Sequence, residues 1–206
     1  ASTGIWTAKK RYILNVWDSE GVRYEEPKLK IMGIEAIKTS TPAPCRKFLK
    51  DAFTLLMSGT EDEVIDYIEE CRTQFNKLPP EEVAFPRSVS NVEKWKSSSD
   101  MYNKGCPIHV RGAILYNHWT VKKKIDHKYA TINNGEKIKF CYLKTPNWMH
   151  ENVISFIQDF PRELDLDKYI DYELQFNKSF MEPIKAILDC IGWETERKNT
   201  LESFFS

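Results

Sequence analysis

The sequence has no apolar run near the roughly 18 residues a membrane-spanning helix needs, and Ala1 opens no signal-peptide pattern. A soluble, intracellular chain is therefore expected, and the missing initiator Met reads as trimming or excision from a longer polypeptide. Cys45, Cys71, Cys106, Cys141 and Cys190 are odd in number, scattered, and include no Cys-x-x-Cys pair. This excludes a disulfide framework and a zinc ribbon, leaving reduced thiols. His109, His118, His127 and His150 stand nine or more residues apart, with no His-x-x-x-His pair, so a local metal motif is absent as well. The eight glycines form no Gly-x-x-x-x-Gly-Lys-Ser/Thr, Gly-x-Gly-x-x-Gly or Gly-x-Ser-x-Gly signature. Carboxylate groups such as Glu61-Asp62-Glu63 and Asp165/Asp167 sit at helix starts, where the dipole favours them whatever the function. No acid/base pair or nucleophile stands out, and no catalytic or metal residue is assigned.

What is present is a foldable chain. Of 206 residues, 41% are hydrophobic and 13% aromatic, enough to bury a core, and the length fits one domain or one with a small extension. The formal net charge is +0, but it is unevenly laid out. Residues 1–50 hold ten basic and five acidic residues, 51–100 five and eleven, 101–150 nine and two, and 151–206 six and twelve. Two basic blocks between acidic ones suit a polyanion met at two places, although acidic helices alternating with basic loops would give the same pattern.

Periodicity places the elements. Residues 10–18 and 22–24, separated by Ser19-Glu20-Gly21, read as a hairpin. Thr41 is the expected N-cap of a helix with Pro42 at its first position; Cys45, Phe48, Leu49, Ala52, Phe53 and Leu56 form its apolar face, and Gly59 ends it. Thr60 and Glu63 form a capping box for a second helix striped by Val64, Ile68, Cys71 and Phe75 and stopped by Pro79-Pro80. A short strand near 83–85, a helical turn after Ser90, a helix over 108–119 and a strand over 152–157 follow. Asn134-Gly135 is expected to turn a hairpin between 128–132 and 138–143. Helices run from about 167, with Pro183 breaking or restarting the last and Gly192 ending it. The fold class is α+β, helix-rich, with short β-hairpins at the start and in the middle. Lys9-Lys10-Arg11-Tyr12 is read as a strand, so that Lys9 and Arg11 would face one way and Lys10 and Tyr12 the other. Such a strand could lie along a duplex, with cations at phosphates and a side chain in the minor groove, where contacts sense pairing geometry more than sequence.

Several segments carry a resemblance. Gly4 to Tyr12 (Gly-Ile-Trp-Thr-Ala-Lys-Lys-Arg-Tyr), Glu26 to Gly33 and Thr39-Ser-Thr-Pro42 resemble the end of the palm and start of the thumb in family-B DNA polymerases of T-even-like bacteriophages. Pro107-Ile-His-Val-Arg-Gly112 with Leu115-Tyr-Asn117 resembles a later thumb motif. Tyr169-Ile-Asp-Tyr172, Phe176-Asn-Lys-Ser-Phe180 and Pro183-Ile resemble the closing helices.

The resemblance implies palm strands over 1–38, a thumb domain over 39–192 and a flexible tail over 193–206. It implies that Lys9, Lys10, Arg11 and Tyr12 contact the duplex near the primer end. Ser40 and Thr41, at a helix start, would receive a backbone phosphate, and Lys104, His109, Arg111 and Lys178 would bind further phosphates. Leu201, Phe204 and Phe205 resemble a sliding-clamp peptide, with Lys198 where that peptide usually begins with Gln. The family places its metal-binding aspartates, nucleotide-binding helix and exonuclease before the corresponding segment. The chain is thus expected to be a fragment or split-gene subunit of a replicative DNA-directed DNA polymerase. Alone it would be inactive, and Mg would belong to the complete enzyme. Its partners would be primer–template duplex, the N-terminal part of the polymerase and the clamp, with no membrane, in the cytoplasm of an infected bacterial host. A freestanding, sequence-nonspecific nucleic-acid-binding protein is the alternative. A self-sufficient nuclease or transferase is disfavoured by the missing carboxylate cluster.

Overall fold

A computed structural model of the chain describes residues 2–197. Three strands come first: β1 (Thr3–Ala8), β2 (Arg11–Ser19) and β3 (Val22–Met32). Helices α1 (Ala43–Ser58), α2 (Glu61–Phe75) and the short α3 (Pro80–Val83) follow, then β4 (Phe85–Ser88), the single turn α4 (Val92–Trp95) and α5 (Ile108–Lys122). Strands β5 (Lys137–Tyr142) and β6 (Val153–Phe156) precede α6 (Tyr172–Phe176), a π-type turn over Asn177–Met181 and α7 (Glu182–Leu188). The α+β class expected from the sequence is what the structure shows. Among the described residues no helix is long and apolar enough to cross a membrane.

The chain divides into two compact units. The first joins the residues up to Lys77 to those from Asn177 onwards; the second is Leu78–Phe176. The boundaries expected at 38 and 192 both fall inside the first unit.

In the first unit β1, β2 and β3 form an antiparallel sheet in that order. Glu20 (φ 55°) and Gly21 (φ 81°) make the two-residue loop between β2 and β3, the geometry that matches sheet twist in a tight hairpin. Ile5, Ile13 and Ile31 align across the strands on one face, and Ile13 is fully buried. The six expected apolar positions of α1 are all buried. Phe48 of α1 meets Phe180 edge to face at 6.4 Å, and Cys45 Sγ lies 3.2 Å from Ser179 Oγ. The capping box of α2 is complete: Glu63 N–H donates to Thr60 Oγ1 and Thr60 N–H to Glu63 Oε2. That helix ends at Phe75, capped by Asn76, before Pro79-Pro80 is reached. Pro183 restarts the helix after the π-type turn, and Gly192 (φ 73°) ends the last turn.

One start signal needed correcting. Thr41 is not the N-cap of α1; Pro42 holds that position, with no side-chain cap. The Thr41 N–H is spent in a turn to the Lys38 carbonyl (3.1 Å), and Thr41 is only 5% exposed. Pro42 disfavours helical backbone at the residue before it, and Pro44 occupies the first helical turn, where its missing N–H costs nothing.

In the second unit β4, β5 and β6 form an antiparallel sheet with β5 in the centre. Gly112 lets α5 lie directly on β6: a Cβ there would stand 2.4 Å from Ser155 Oγ and 2.9 Å from Ser155 N. Buried Gln175 ties the unit together, accepting from Tyr142 N–H (2.9 Å) and donating to the Val83 carbonyl (2.7 Å). The strand over 152–157 is present as β6. The hairpin expected at Asn134-Gly135 is not: 138–143 pairs as β5 with β4 and β6, while 128–132 is not a strand. The backbone of Ile132 is satisfied instead by the side chain of Asn117 on α5, which accepts from its N–H (2.8 Å) and donates to its carbonyl (2.9 Å). Asn134 Oδ1 accepts from Val92 N–H at 2.8 Å. A side-chain partner has replaced the strand partner.

Candidate nucleic-acid interface

In the first unit, Lys9–Tyr12 is not one strand with alternating faces. Lys9 and Lys10 form the exposed turn between β1 and β2, Lys10 with a left-handed φ of 64°. Gly33 (φ 67°) supports that turn: a Cβ on it would stand 2.3 Å from the Lys10 carbonyl oxygen. Neither lysine forms an ion pair among the described residues. Their ammonium groups therefore project from a tip whose backbone is closely packed.

Arg11 is turned to other work. Its Nη2 lies 3.0 Å from Glu35 Oε2, and Lys38 Nζ lies 2.7 Å from Glu35 Oε1. Partial burial alone would raise the Glu35 carboxyl, but hydrogen bonds from Lys38 and its own backbone, with the Arg11 and Lys38 charges, hold it below the ordinary carboxylate range. Arg11 thus enters any phosphate contact already neutralised. Tyr12 is half-buried in a cross-strand row with Trp6 and Met32, which are 62% and 41% exposed. Ser40 is half-buried, Thr41 is buried, and Lys178 is exposed on the π-type turn beside buried Ser179 and Phe180.

In the second unit, Lys104 is exposed in the turn leading to α5, and His109 and Arg111 lie in the first turn of that helix. The His109 carbonyl accepts from Ser155 Oγ (2.8 Å), and its ring stacks obliquely 6.3 Å from Phe140. Burial first, and then the charge of Arg87, push its imidazole below the usual value, which favours the neutral ring and a hydrogen bond over a charge. Arg87 lies 5.7 Å over Phe140 and 5.9 Å over Phe85. Sequence reasoning passed over Arg87, because its strand carries no alternating pattern. Arg111 is committed locally: it donates to Asn152 Oδ1, lies 4.0 Å from Glu151 Oε2 and stacks 5.5 Å over Tyr102, whose hydroxyl donates to Glu151 at 2.5 Å. It positions the 151–152 segment against α5 and has less charge to spare than its sequence position suggests.

Both sets offer fixed cations and hydrogen-bond donors, the equipment for holding phosphates without reading bases. Among the described residues no group of three or more His, Cys, Asp or Glu is placed to hold a metal ion. The cysteines are all free, and burial pushes the Cys45 and Cys71 thiols up to about 12, making them inert. Leu201, Phe204 and Phe205 lie outside the described residues.

No model of a known protein family matches the chain. It is similar to the DNA-directed DNA polymerase of Escherichia phage RB69, 34% identical over 98% of this chain, and to that of Enterobacteria phage T4, 29% identical over 98%. The chain spans 22% of the length of each. The likeness first carried by separate motifs thus runs through nearly the whole chain.

Proposed function

We propose that this chain, a sequence relative of part of the T-even-like phage DNA polymerases, is the duplex-gripping end of such a polymerase. In this reading residues 1–38 complete the palm and 39–192 form the thumb. The tail, 193–206, docks on a sliding clamp through Leu201, Phe204 and Phe205. The observation that carries it is the Lys9–Lys10 turn: two ammonium groups with no ion-pair partner among the described residues, on a tip locked by Gly33, inside a segment that matches the polymerases. Phosphate contacts of this kind supply affinity without sequence preference, as a replicative enzyme needs. Lys104, His109 and Arg87 give the second unit its own donors. Arg11 and Arg111 act mainly by holding the neighbouring backbone.

The described residues do not fit a catalytic Mg site, and no chemical step is assigned to them. Nucleotidyl transfer would belong to the rest of the polymerase, acting with this chain in the cytoplasm of an infected bacterial host. The exposed row of Trp6 and Met32, with Trp17 (43% exposed) on the same strands, supports a covering partner, since such large apolar side chains seldom face water together.

Fluorescence anisotropy against a duplex at several salt concentrations tests the grip. Lys9→Ala with Lys10→Ala should flatten the log affinity against log salt slope by about 1.8, or about 0.9 per phosphate contact. An unchanged slope takes the turn out of the interface.

A further inference from the structure

The C-terminal end of α5 carries a group that duplex gripping does not use. Lys122, Lys123 and Lys124 follow one another there, and none forms an ion pair among the described residues. Lys122 Nζ sits 4.6 Å over the ring of Trp119, and Lys123 Nζ sits 5.3 Å over Trp148. The two indoles meet edge to face at 4.8 Å, and His118 packs edge-on to Trp119 at 5.1 Å. Trp148 is fixed by its N–H donating to the Leu164 carbonyl at 2.8 Å, whereas the Trp119 indole N–H is buried with no hydrogen-bond partner among the described residues. A cleft of about 630 Å³ adjoins the group, lined by apolar Met101, Ile114 and Val121 together with polar residues that include Ser98, Asn117 and the carboxylate of Asp100, and sharing His118 and Lys122 with it. Val121 is 57% exposed.

A helix C-terminus attracts cations by itself, which would explain the lysines but neither the paired indoles beneath them nor the apolar side chains that line part of the cleft. We propose that this end of α5 binds single-stranded nucleic acid, its bases stacking on the indoles and the cleft floor and its phosphates held by Lys122, Lys123 and Lys124. Successive helical residues project about 100° apart, and Lys124 leaves the helix with a left-handed φ of 58°. The three ammonium groups therefore fan around the helix end. A rigid duplex strand presents its phosphates along a line, whereas a single strand bends to meet a fan. Each lysine resting on an indole keeps that face desolvated until a base replaces it, and the displaced ammonium is then free for the adjoining phosphate. The surface lies about 20 Å along α5 from His109, at about 1.5 Å per residue, so it does not rest on the duplex reading.

The test uses the full chain and two labelled probes: an oligothymidylate of about 12 nucleotides, within the span of known single-strand sites, and a blunt duplex of equal length. Lys122→Gln, Lys123→Gln and Lys124→Gln together should weaken oligothymidylate binding at least about tenfold. The same change should lower its salt slope by about 2, at about 0.7 per contact, and leave duplex binding unchanged. Trp148→Phe should weaken only the oligothymidylate, with the same salt slope. Equal losses on both probes would make this a general phosphate contact and overturn the proposal. No loss on either, or no oligothymidylate binding by the unaltered chain at low salt, would leave the lysines as a helix cap and overturn it as well. If the unaltered chain binds oligothymidylate but not duplex, this inference stands and the duplex reading falls.

Discussion

Replacing Gly33 by Ala should cost far more than replacing Gly21, although both glycines adopt left-handed backbone in the same three-stranded sheet. Gly21 has a φ of 81°, and a Cβ there would meet nothing within 4 Å. Its replacement incurs only the left-handed penalty, about 1–2 kcal/mol. Gly33 has a φ of 67°, and its Cβ would stand 2.3 Å from the Lys10 carbonyl oxygen and 3.2 Å from Arg11 Cγ. The oxygen belongs to backbone already held in a turn and cannot rotate away, so overpacking adds about 1–3 kcal/mol. At the middle of these ranges the expected total is about 3.5 kcal/mol, or about 7–14 °C in Tm for a chain of this size, against about 1.5 kcal/mol and about 3–6 °C for Gly21→Ala. Thermal unfolding followed by circular dichroism compares the two directly. Because Gly33 supports the lysine turn, Gly33→Ala should also weaken duplex binding, while Gly21→Ala leaves it alone. Equal Tm shifts would show that Gly33 does not abut the Lys10 carbonyl, and the account of a locked turn would fail.

Other consequences follow from single contacts. Glu35 titrates below its unfolded value of about 4.5, so its contribution to stability is complete above that pH and is lost as pH falls through the folded value. Glu35→Gln should therefore flatten the acid side of a stability–pH profile measured by denaturant unfolding, and a profile as steep as the parent's would refute the Arg11–Glu35–Lys38 assignment. Gly112→Ala forces α5 off β6 and should cost about 1–3 kcal/mol, checked by chemical denaturation; a neutral result would contradict the 2.4 Å approach to Ser155. Phe204→Ala with Phe205→Ala should abolish binding to the cognate clamp in calorimetry and leave Tm unchanged. A fall of several degrees would instead place the aromatics in the core.

Where a residue's partners lie within a few positions, the sequence was a good guide. The α1 face from Cys45 to Leu56 is buried as its spacing requires, and both hydrogen bonds of the Thr60–Glu63 capping box form. Both depend on one turn of helix. The failures share a different cause. The Lys9–Lys10 turn has no Gly, Asn or Asp to announce it; the residue that makes it possible, Gly33, arrives 23 positions later in the chain. Arg11 looked free because Glu35 is distant in sequence, and Arg111 because Glu151 and Asn152 are more distant still. Asn134-Gly135 is a strong local turn signal, but the segment before it is held by Asn117 of α5. Local chemistry named the cations of the candidate interface, and long-range pairing decided which of them keep charge to spare.

Primer extension by mixed parts tests the central claim most directly. This chain and a protein comprising the rest of a T-even-like polymerase are assayed separately and together on one primed template. The account predicts negligible extension by this chain alone and weak extension by the remainder. Restored extension should appear on mixing, and be reduced when Lys9 and Lys10 are both replaced by Ala. Extension by this chain by itself, or a mixture no better than the remainder alone, would contradict it.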